Sequence, residues 1–309
     1  MYSIKTEKNI SNWSNEDIPN LEGKNALITG SNSGLGYFTA KALAKKGCHV
    51  LLGCRTLEKA NNTKERLEKL YPSGKFSSLE LDLSDFKKVV ETTKFIFENF
   101  NNLDLLINNA GIMHPPKTLN AQGFEIQFAV NHLSHMLLTL KLLPLLEKKE
   151  NSRIVTVTSG AQFFGKGGWE NLKAENYYNK WESYAESKLA NVMFALDLHK
   201  KLIDKKVFSL AAHPGIAKTN LFTAQKPKPN KFEELSLLIF SPFFQSAEMG
   251  ALPQLYAATS PSAKSGEHYG PKYNFRGYPK LSPTAPIATS ESEQRNLWEK
   301  SIEILSEFI

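Results

Sequence analysis

Asn25-Ala-Leu-Ile-Thr-Gly-Ser-Asn-Ser-Gly-Leu-Gly36 is the stretch on which the fold turns. Residues 25–29 are a short apolar run that reads as a buried strand. Gly30, Gly34 and Gly36 then break the run into a turn, and residues 37–46 read as a helix that stops at Gly47. Strand, glycine-rich turn and helix N-terminus together make a phosphate cradle. Glycine admits backbone angles and close approaches that a Cβ blocks, and the helix end offers unpaired N–H groups to an anion. The spacing G-x-x-x-G-x-G differs from the G-x-G-x-x-G fingerprint of many dinucleotide-binding units. Taken alone, the turn does not distinguish a cradle from a tight connection.

Working outward, the next segments repeat the alternation. Residues 49–54 form a second apolar strand, followed by Arg55 and a charged helical stretch at 57–70. A third strand at 76–83 contains Asp82, and Ser84 can cap a helix at 85–100. A fourth strand at 103–107 runs into Asn108-Asn109-Ala110-Gly111. A helical region at 123–143 ends near Pro144, a fifth strand covers 153–158, and a long amphipathic helix covers 181–202. The sixth strand, 207–212, ends in His213-Pro214-Gly215. Beyond a basic loop at 226–230 come an apolar stretch at 235–244 and helices at 247–258 and 291–308.

Continuous rather than alternating apolar strands, separated by helices, argue for a parallel sheet covered on both faces. No linker, repeat or low-complexity segment divides the chain. The expectation is a polar lead-in at 1–22 and one doubly wound α/β domain at 23–309, with a parallel sheet of about seven strands. In such sheets ligands bind beyond the carboxyl ends of the strands. The strand ends at Gly30, Arg55, Asn108, Ser159 and His213 therefore gather on one rim.

Composition narrows the classes. The 309 residues suffice for a well-buried core. Thirty-eight basic against 31 acidic residues leave a net charge of +7. The basic residues are scattered, with no basic run and interleaved aromatics, so no nucleic-acid partner is expected. Cys48 and Cys54 share one strand, about 20 Å apart at ~3.3 Å per residue, beyond disulfide reach. A reducing compartment fits. The first residues lack the apolar core of a secretory signal, and no run approaches the roughly 20 apolar residues that span a bilayer. A cytoplasmic protein without a transmembrane segment is expected, with no metal site.

Two constellations carry chemistry. An acidic residue at the end of the second strand would bind a ribose 2′-hydroxyl, whereas an Arg accommodates a 2′-phosphate. Here the strand ends Gly53-Cys54-Arg55 with no carboxylate at its tip. This predicts NADPH over NADH, with Ser31, Asn32 and Ser33 helping to bind the phosphates. The second constellation is Tyr184-Ala-Glu-Ser-Lys188. At i and i+4 a phenol and an ammonium share a helix face, and the ammonium is expected to lower the phenol pKa toward neutrality. Such a tyrosine trades a proton with a substrate oxygen. Ser159, at the tip of the fifth strand, can hydrogen-bond the same oxygen.

Thr29-Gly30-x-x-x-Gly34-x-Gly36, Asn108-Asn109-Ala110-Gly111, Asn131, Ser159, Tyr184-x-x-x-Lys188 and Pro214-Gly215 occur in an order that resembles the short-chain dehydrogenase/reductase family, a Rossmann-type fold. The segments 165–178 and 184–196 resemble its retinol-dehydrogenase-like branch, whose members often reduce apolar aldehydes and ketones with NADPH. The resemblance implies that Tyr184 is the general acid/base, that Lys188 lowers its pKa and binds the nicotinamide ribose, that Ser159 orients the substrate oxygen and that Asn131 holds a water in a proton relay. It also implies that NADP(H) lies along Gly30, Ser31, Asn32, Ser33, Gly34, Leu35 and Gly36. Arg55 would sit at the 2′-phosphate, Asp82 and Leu83 at the adenine, and Asn109, Ala110 and Gly111 along the adenosine side. Pro214, Gly215 and Thr219 would meet the carboxamide end.

The insertion containing Phe163, Phe164, Trp169, Tyr177 and Tyr178 is expected to shape the substrate mouth. The apolar segment around 220–245, with Phe222 and Phe232, falls where the family places a substrate lid. The expected function is NADPH-dependent interconversion of an apolar carbonyl and its alcohol, with a homodimer compatible. The alternative is a non-catalytic dinucleotide sensor or scaffold that uses the same cradle.

Overall fold

The central strands of the computed structural model form where the chain is mostly apolar; the residues described are 12–217 and 244–309. Thr219, Phe222, Phe232, the expected lid up to residue 243 and the first eleven residues of the lead-in lie outside them.

The strands are β1 (Asn25–Thr29), β2 (His49–Cys54), β3 (Phe76–Glu80), β4 (Leu105–Asn108), β5 (Ser152–Val157), β6 (Val207–Ala212), β7 (His268–Pro271) and β8 (Pro279–Leu281). They make one sheet in the order β3-β2-β1-β4-β5-β6-β7-β8. β1 to β7 are parallel to their neighbours, whereas β8 returns antiparallel to β7 with Tyr269 opposite Leu281. The seven parallel strands match the expected sheet, and β8 adds an antiparallel edge. β7 and β8 are short, each carries a proline at one end, and neither presents an apolar run, so hydrophobic patterning does not reveal them.

The helices are α1 (Gly34–Lys45), α2 (Leu57–Leu70), α3 (Phe86–Asn99), the single turn α4 (Ile126–Phe128), α5 (Ser134–Leu146), α6 (Lys180–Lys201), α7 (Ala247–Thr259) and α8 (Glu291–Leu305). Alternate residues of each central strand feed opposite faces. Leu27, Leu51, Leu106 and Ile154 pack with α3, α5, α6 and α8. Ala26, Ile28, Val50, Leu52, Ile107 and Val155 pack with α1 and α7. Burial on both faces explains why the strands read as unbroken apolar runs.

Local signals set most helix ends. Thr56 caps α2 through Lys59 N–H, and Asn179 caps α6 by accepting from Trp181 and Glu182 N–H at 3.0 and 3.2 Å. The cap of α3 is Asp85, whose carboxylate accepts from Lys87 N–H at 2.9 Å. Ser84, the expected cap, instead donates to Asp82 at 2.6 Å. The helical region expected at 123–143 is interrupted by a π-turn, Ala129–Leu133, and continues to Leu146 with Pro144 inside its last turn.

The chain leaves β1 for β2 and β3, then crosses back to β4 on the other side of β1. The resulting reversal between β1 and β4 opens a crevice at their carboxyl ends.

Candidate active site

On one side of that crevice lies the turn from β1 into α1. Gly30 and Gly34 have φ of +67° and +53°, a region that side-chain-bearing residues rarely enter. A Cβ on Gly36 would lie 2.3 Å from the Gly30 carbonyl oxygen and 2.6 Å from Asn109 Nδ2. The glycine is required by close approach of the two backbones. Ser33 sits at the N-cap of α1 but makes no side-chain cap, and the first turn has no acidic residue. The N–H groups of Gly34 and Leu35 therefore keep the character of an anion site, and this donor set fits a dinucleotide pyrophosphate. Ser31 is buried with Oγ 3.3 Å from Cys54 Sγ, so it braces β2 as much as it faces a ligand. Asn32 is half-buried on the same turn.

Arg55 stands at the end of β2 with 64% of its side chain exposed, and its Nε is 3.6 Å from Asp82 Oδ1. The strand tip carries no carboxylate of its own, yet the end of β3 brings one alongside. Asp82 also accepts from Ser84 N–H and Oγ–H at 2.9 and 2.6 Å. The next residue, Leu83, is buried, and its carbonyl accepts from Ser134 Oγ at 2.6 Å, tying this turn to α5.

The loop after β4 closes onto β1. Thr29 Oγ1 accepts from the N–H groups of Asn109 and Ala110 at 2.9 and 2.8 Å, and Asn109 Nδ2 donates to Thr29 O at 2.8 Å. A Cβ on Gly111 would lie 3.3 Å from Asn131 Oδ1 and 3.4 Å from Lys188 Nζ. This glycine is thus where the loop after β4 closes on Asn131 and Lys188.

Asn131 lies in the π-turn. Its side chain accepts from Ile112 N–H at 2.9 Å and donates to Ile112 O and Ser187 Oγ at 3.0 and 2.9 Å. A π-turn offsets the helix by one residue, a distortion frequent at functional sites. Ser159, just past β5, caps a short 3₁₀ turn through Ala161 N–H, and its hydroxyl is near enough to the Tyr184 phenol to favour its ionised form. Tyr184 and Lys188 occupy successive turns of α6, both buried, with Lys188 Nζ 5.7 Å from the Tyr184 ring centre.

Electrostatics here run against the sequence expectation. Burial pushes the Tyr184 phenol up to about 12, opposed only by the neighbouring Ser159 hydroxyl. Burial also holds Lys188 down to about 8. The ammonium points to the Val157 carbonyl, 3.2 Å away, rather than at the phenol oxygen. Removing water from both groups outweighs their mutual effect. A phenol held in its protonated form is a proton donor, the polarity that carbonyl reduction needs.

Aromatic side chains line the approach to Tyr184. The His114 ring meets Trp181 and Tyr184 edge-on at 5.3 and 5.9 Å, and Phe164 packs on Trp181 at 5.8 Å. Of the side chains expected at the mouth, Phe163, Phe164 and Tyr177 are exposed. Trp169 is not part of it: this residue is 2% exposed and packs against Phe128 in the core. Tyr178 turns inward and donates to Pro115 O at 2.7 Å. Pro214 and Gly215 follow β6, with Gly215 at φ +64° against the Phe275 backbone.

Two residues absent from the sequence reading hold this arrangement. Gln127 Oε1 accepts from His114 N–H at 2.8 Å while Nε2 donates to Lys180 O at 3.0 Å, joining the mouth to α6. No local sequence signal marks it. Gln254 of α7 donates to Thr39 Oγ1 and Asn109 Oδ1 at 2.6 and 3.2 Å. Its seat inside an apolar helix is the one hint of a buried partner.

A sheet of this order, with a glycine cradle at its reversal and a serine–tyrosine pair on the same rim, belongs to the class of dinucleotide-binding oxidoreductases. More particularly, the chain belongs to the short-chain dehydrogenase family, whose model matches residues 24–230. It is 38% identical to retinol dehydrogenase 14 of Mus musculus over 91% of this chain and 85% of that protein. It is 33% identical to retinol dehydrogenase 11 of Homo sapiens over 92% and 86%. Among solved structures, a putative uncharacterized protein from Mycobacterium paratuberculosis superposes with a TM-score of 0.80 at 32% identity, over 96% of this chain and 98% of that one. Among the described residues no helix is long and apolar enough to cross a membrane, and no cluster of three or more His, Cys, Asp or Glu could hold a metal.

Proposed function

We propose that this protein is an NADPH-dependent oxidoreductase that interconverts an apolar aldehyde or ketone and its alcohol. The observation that carries the reading is the convergence on one rim of Ser159, the buried Tyr184 and Lys188 of α6, Asn131 beside Gly111, and the glycine turn. When bound, the nicotinamide supplies or accepts the hydride. Ser159 donates to the substrate oxygen and orients it. Tyr184 delivers its proton to that oxygen as negative charge develops there. Lys188 and Asn131 hold positions beside Gly111, where the nicotinamide ribose and a proton-relay water would lie.

Arg55 supports NADPH: its exposed guanidinium can meet a 2′-phosphate while Asp82 steadies its stem side. The aromatic approach formed by His114, Phe164 and Trp181 supports an apolar substrate. The relatives named for retinol, an apolar alcohol, support the same class. The apolar segment at 220–245 and Thr219 belong to this reading on their sequence alone. Buried, unpaired Cys48 and Cys54 suit the cytoplasm. A dinucleotide sensor would need the cradle but has no use for Ser159, Tyr184 and Lys188.

The test is NADPH consumption against a panel of apolar aldehydes and ketones, in parallel with Tyr184→Phe and Arg55→Ala. Tyr184→Phe should bind NADPH within about two-fold of the parent while turnover falls at least about 10²-fold. Arg55→Ala should lose about ten-fold or more of the preference for NADPH over NADH, the range of one charge-assisted phosphate contact. Full turnover by Tyr184→Phe would refute the catalytic assignment, and an unchanged preference in Arg55→Ala would refute the choice of cofactor.

A further inference from the structure

A buried histidine outside the expected set connects the two halves of the site. His135 opens the first turn of α5, four residues after Asn131, and is 1% exposed. One ring nitrogen, Nε2, lies 2.8 Å from Thr29 Oγ1 in the glycine-turn strand. The other, Nδ1, lies 3.0 Å from the main-chain oxygen of Asn131 in the π-turn.

The partners determine where the ring proton sits. A carbonyl oxygen can only accept, so His135 Nδ1 carries the hydrogen and donates to Asn131 O. Thr29 Oγ1 already accepts from the N–H groups of Asn109 and Ala110. Its single hydroxyl proton can go to His135 Nε2 at 2.8 Å or to Ile107 O at 3.5 Å, and the shorter bond takes it. The opposite tautomer would set the Nδ1 lone pair against the Asn131 carbonyl and give Thr29 three donors. Burial and the neighbouring Lys188 ammonium both disfavour an imidazolium. The ring is therefore neutral, with each nitrogen committed.

We propose that His135 is a positioning residue that links the Thr29–Asn109–Ala110 brace of the cofactor cradle to the Asn131 π-turn of the catalytic group, one ring nitrogen to each. Through Nε2 it directs the Thr29 hydroxyl so that both lone pairs serve the loop along which the adenosine side would run. Through Nδ1 it occupies the Asn131 carbonyl, fixing the turn whose side chain holds Ile112 and Ser187. The inference rests on the oxidoreductase reading for its kinetic consequences but not for the ring's tautomer.

Two substitutions separate the halves. His135→Asn keeps an amide donor near the Nδ1 position and loses the bond to Thr29, whereas His135→Gln keeps an acceptor near Nε2 and loses the bond to Asn131. Three quantities are measured: NADPH Kd by nucleotide fluorescence, kcat at saturating NADPH on an apolar aldehyde, and the ring protonation of unsubstituted His135 from its ¹⁵N–¹H correlations without ligand. The expected spectrum is that of a neutral Nδ1–H ring from about pH 5 to pH 8. His135→Asn should weaken NADPH binding about five- to ten-fold with kcat within about two-fold, and His135→Gln should do the reverse, as loss of one buried hydrogen bond implies. An Nε2–H ring, a ring that titrates in that interval, or two variants that shift Kd and kcat alike would overturn the proposal. The spectrum needs neither variant, so it stands should one fail to fold. A parent protein that bound no NADPH would count against the oxidoreductase reading, and the spectrum alone would then decide the His135 linkage.

Discussion

A lysine without water around it sits uneasily in a folded chain, and Lys188 illustrates the consequence. Its pKa is held near 8 by burial, below the 10.5 of the exposed side chain, so the unfolded state binds more protons between those values. Stability therefore rises with pH across that window and carries the full penalty of the buried charge below it. Lys188→Met should remove this slope and stabilise the protein at neutral pH by about 1 to 3 kcal/mol, while abolishing turnover. The Val157 carbonyl that Lys188 leaves still accepts from Asn191 Nδ2 at 3.0 Å, so no buried acceptor is stranded. Urea denaturation of both proteins from neutral to alkaline pH measures the difference. An unchanged slope would mean that Lys188 is hydrated in solution. The sequence placed Tyr184 and Lys188 on one helix face, and that geometry holds. It could not indicate that burial would dominate the phenol, because desolvation depends on the helices and turns packed around it.

Among the elements, the β1 turn and α1 were legible because their signals are local: an apolar run, glycines at fixed offsets, a helical stretch ending at glycine. The bounds of β1, β2, α2 and β6 agree with those read from the sequence. Gly36→Ala tests why the turn needs its last glycine. The new methyl would meet backbone that cannot withdraw, the Gly30 carbonyl at 2.3 Å. The expected loss is about 1 to 3 kcal/mol of stability, with weaker NADPH binding measured beside it. Full affinity in a stable Gly36→Ala protein would show that the turn opens easily. The π-turn at Ala129–Leu133 was not legible, since its sequence continues a helical pattern on both sides. What distorts it is the pairing of Asn131 with the Ile112 backbone, a partner nineteen residues away.

Across the whole molecule, Arg153 shows how a long-range contact closes the sheet against its cover. It rises from β5 among apolar strand residues, donates to Ala257 O and Ser260 O at 2.9 Å each, and lies 5.6 Å over the Phe208 ring. It thereby adds a donor at the carboxyl end of α7, where Ser260 O also accepts from Ala263 N–H at 3.1 Å. Arg153→Met should cost about 2 to 4 kcal/mol, read as a lowered urea midpoint with an unchanged slope. A loss below about 0.5 kcal/mol would make the contact incidental.

From the sequence alone came the doubly wound α/β class, the cradle, the family and the side chains gathered on the rim, because apolar periodicity, glycine offsets and motif order are properties of neighbours along the chain. Packing alone decided β7 and β8, the direction in which burial shifts Tyr184 and Lys188, the pairing of Arg55 with Asp82 and the place of His135. Those depend on which distant groups share a dry space, and desolvation and hydrogen-bond partners exist only once the chain has closed on itself.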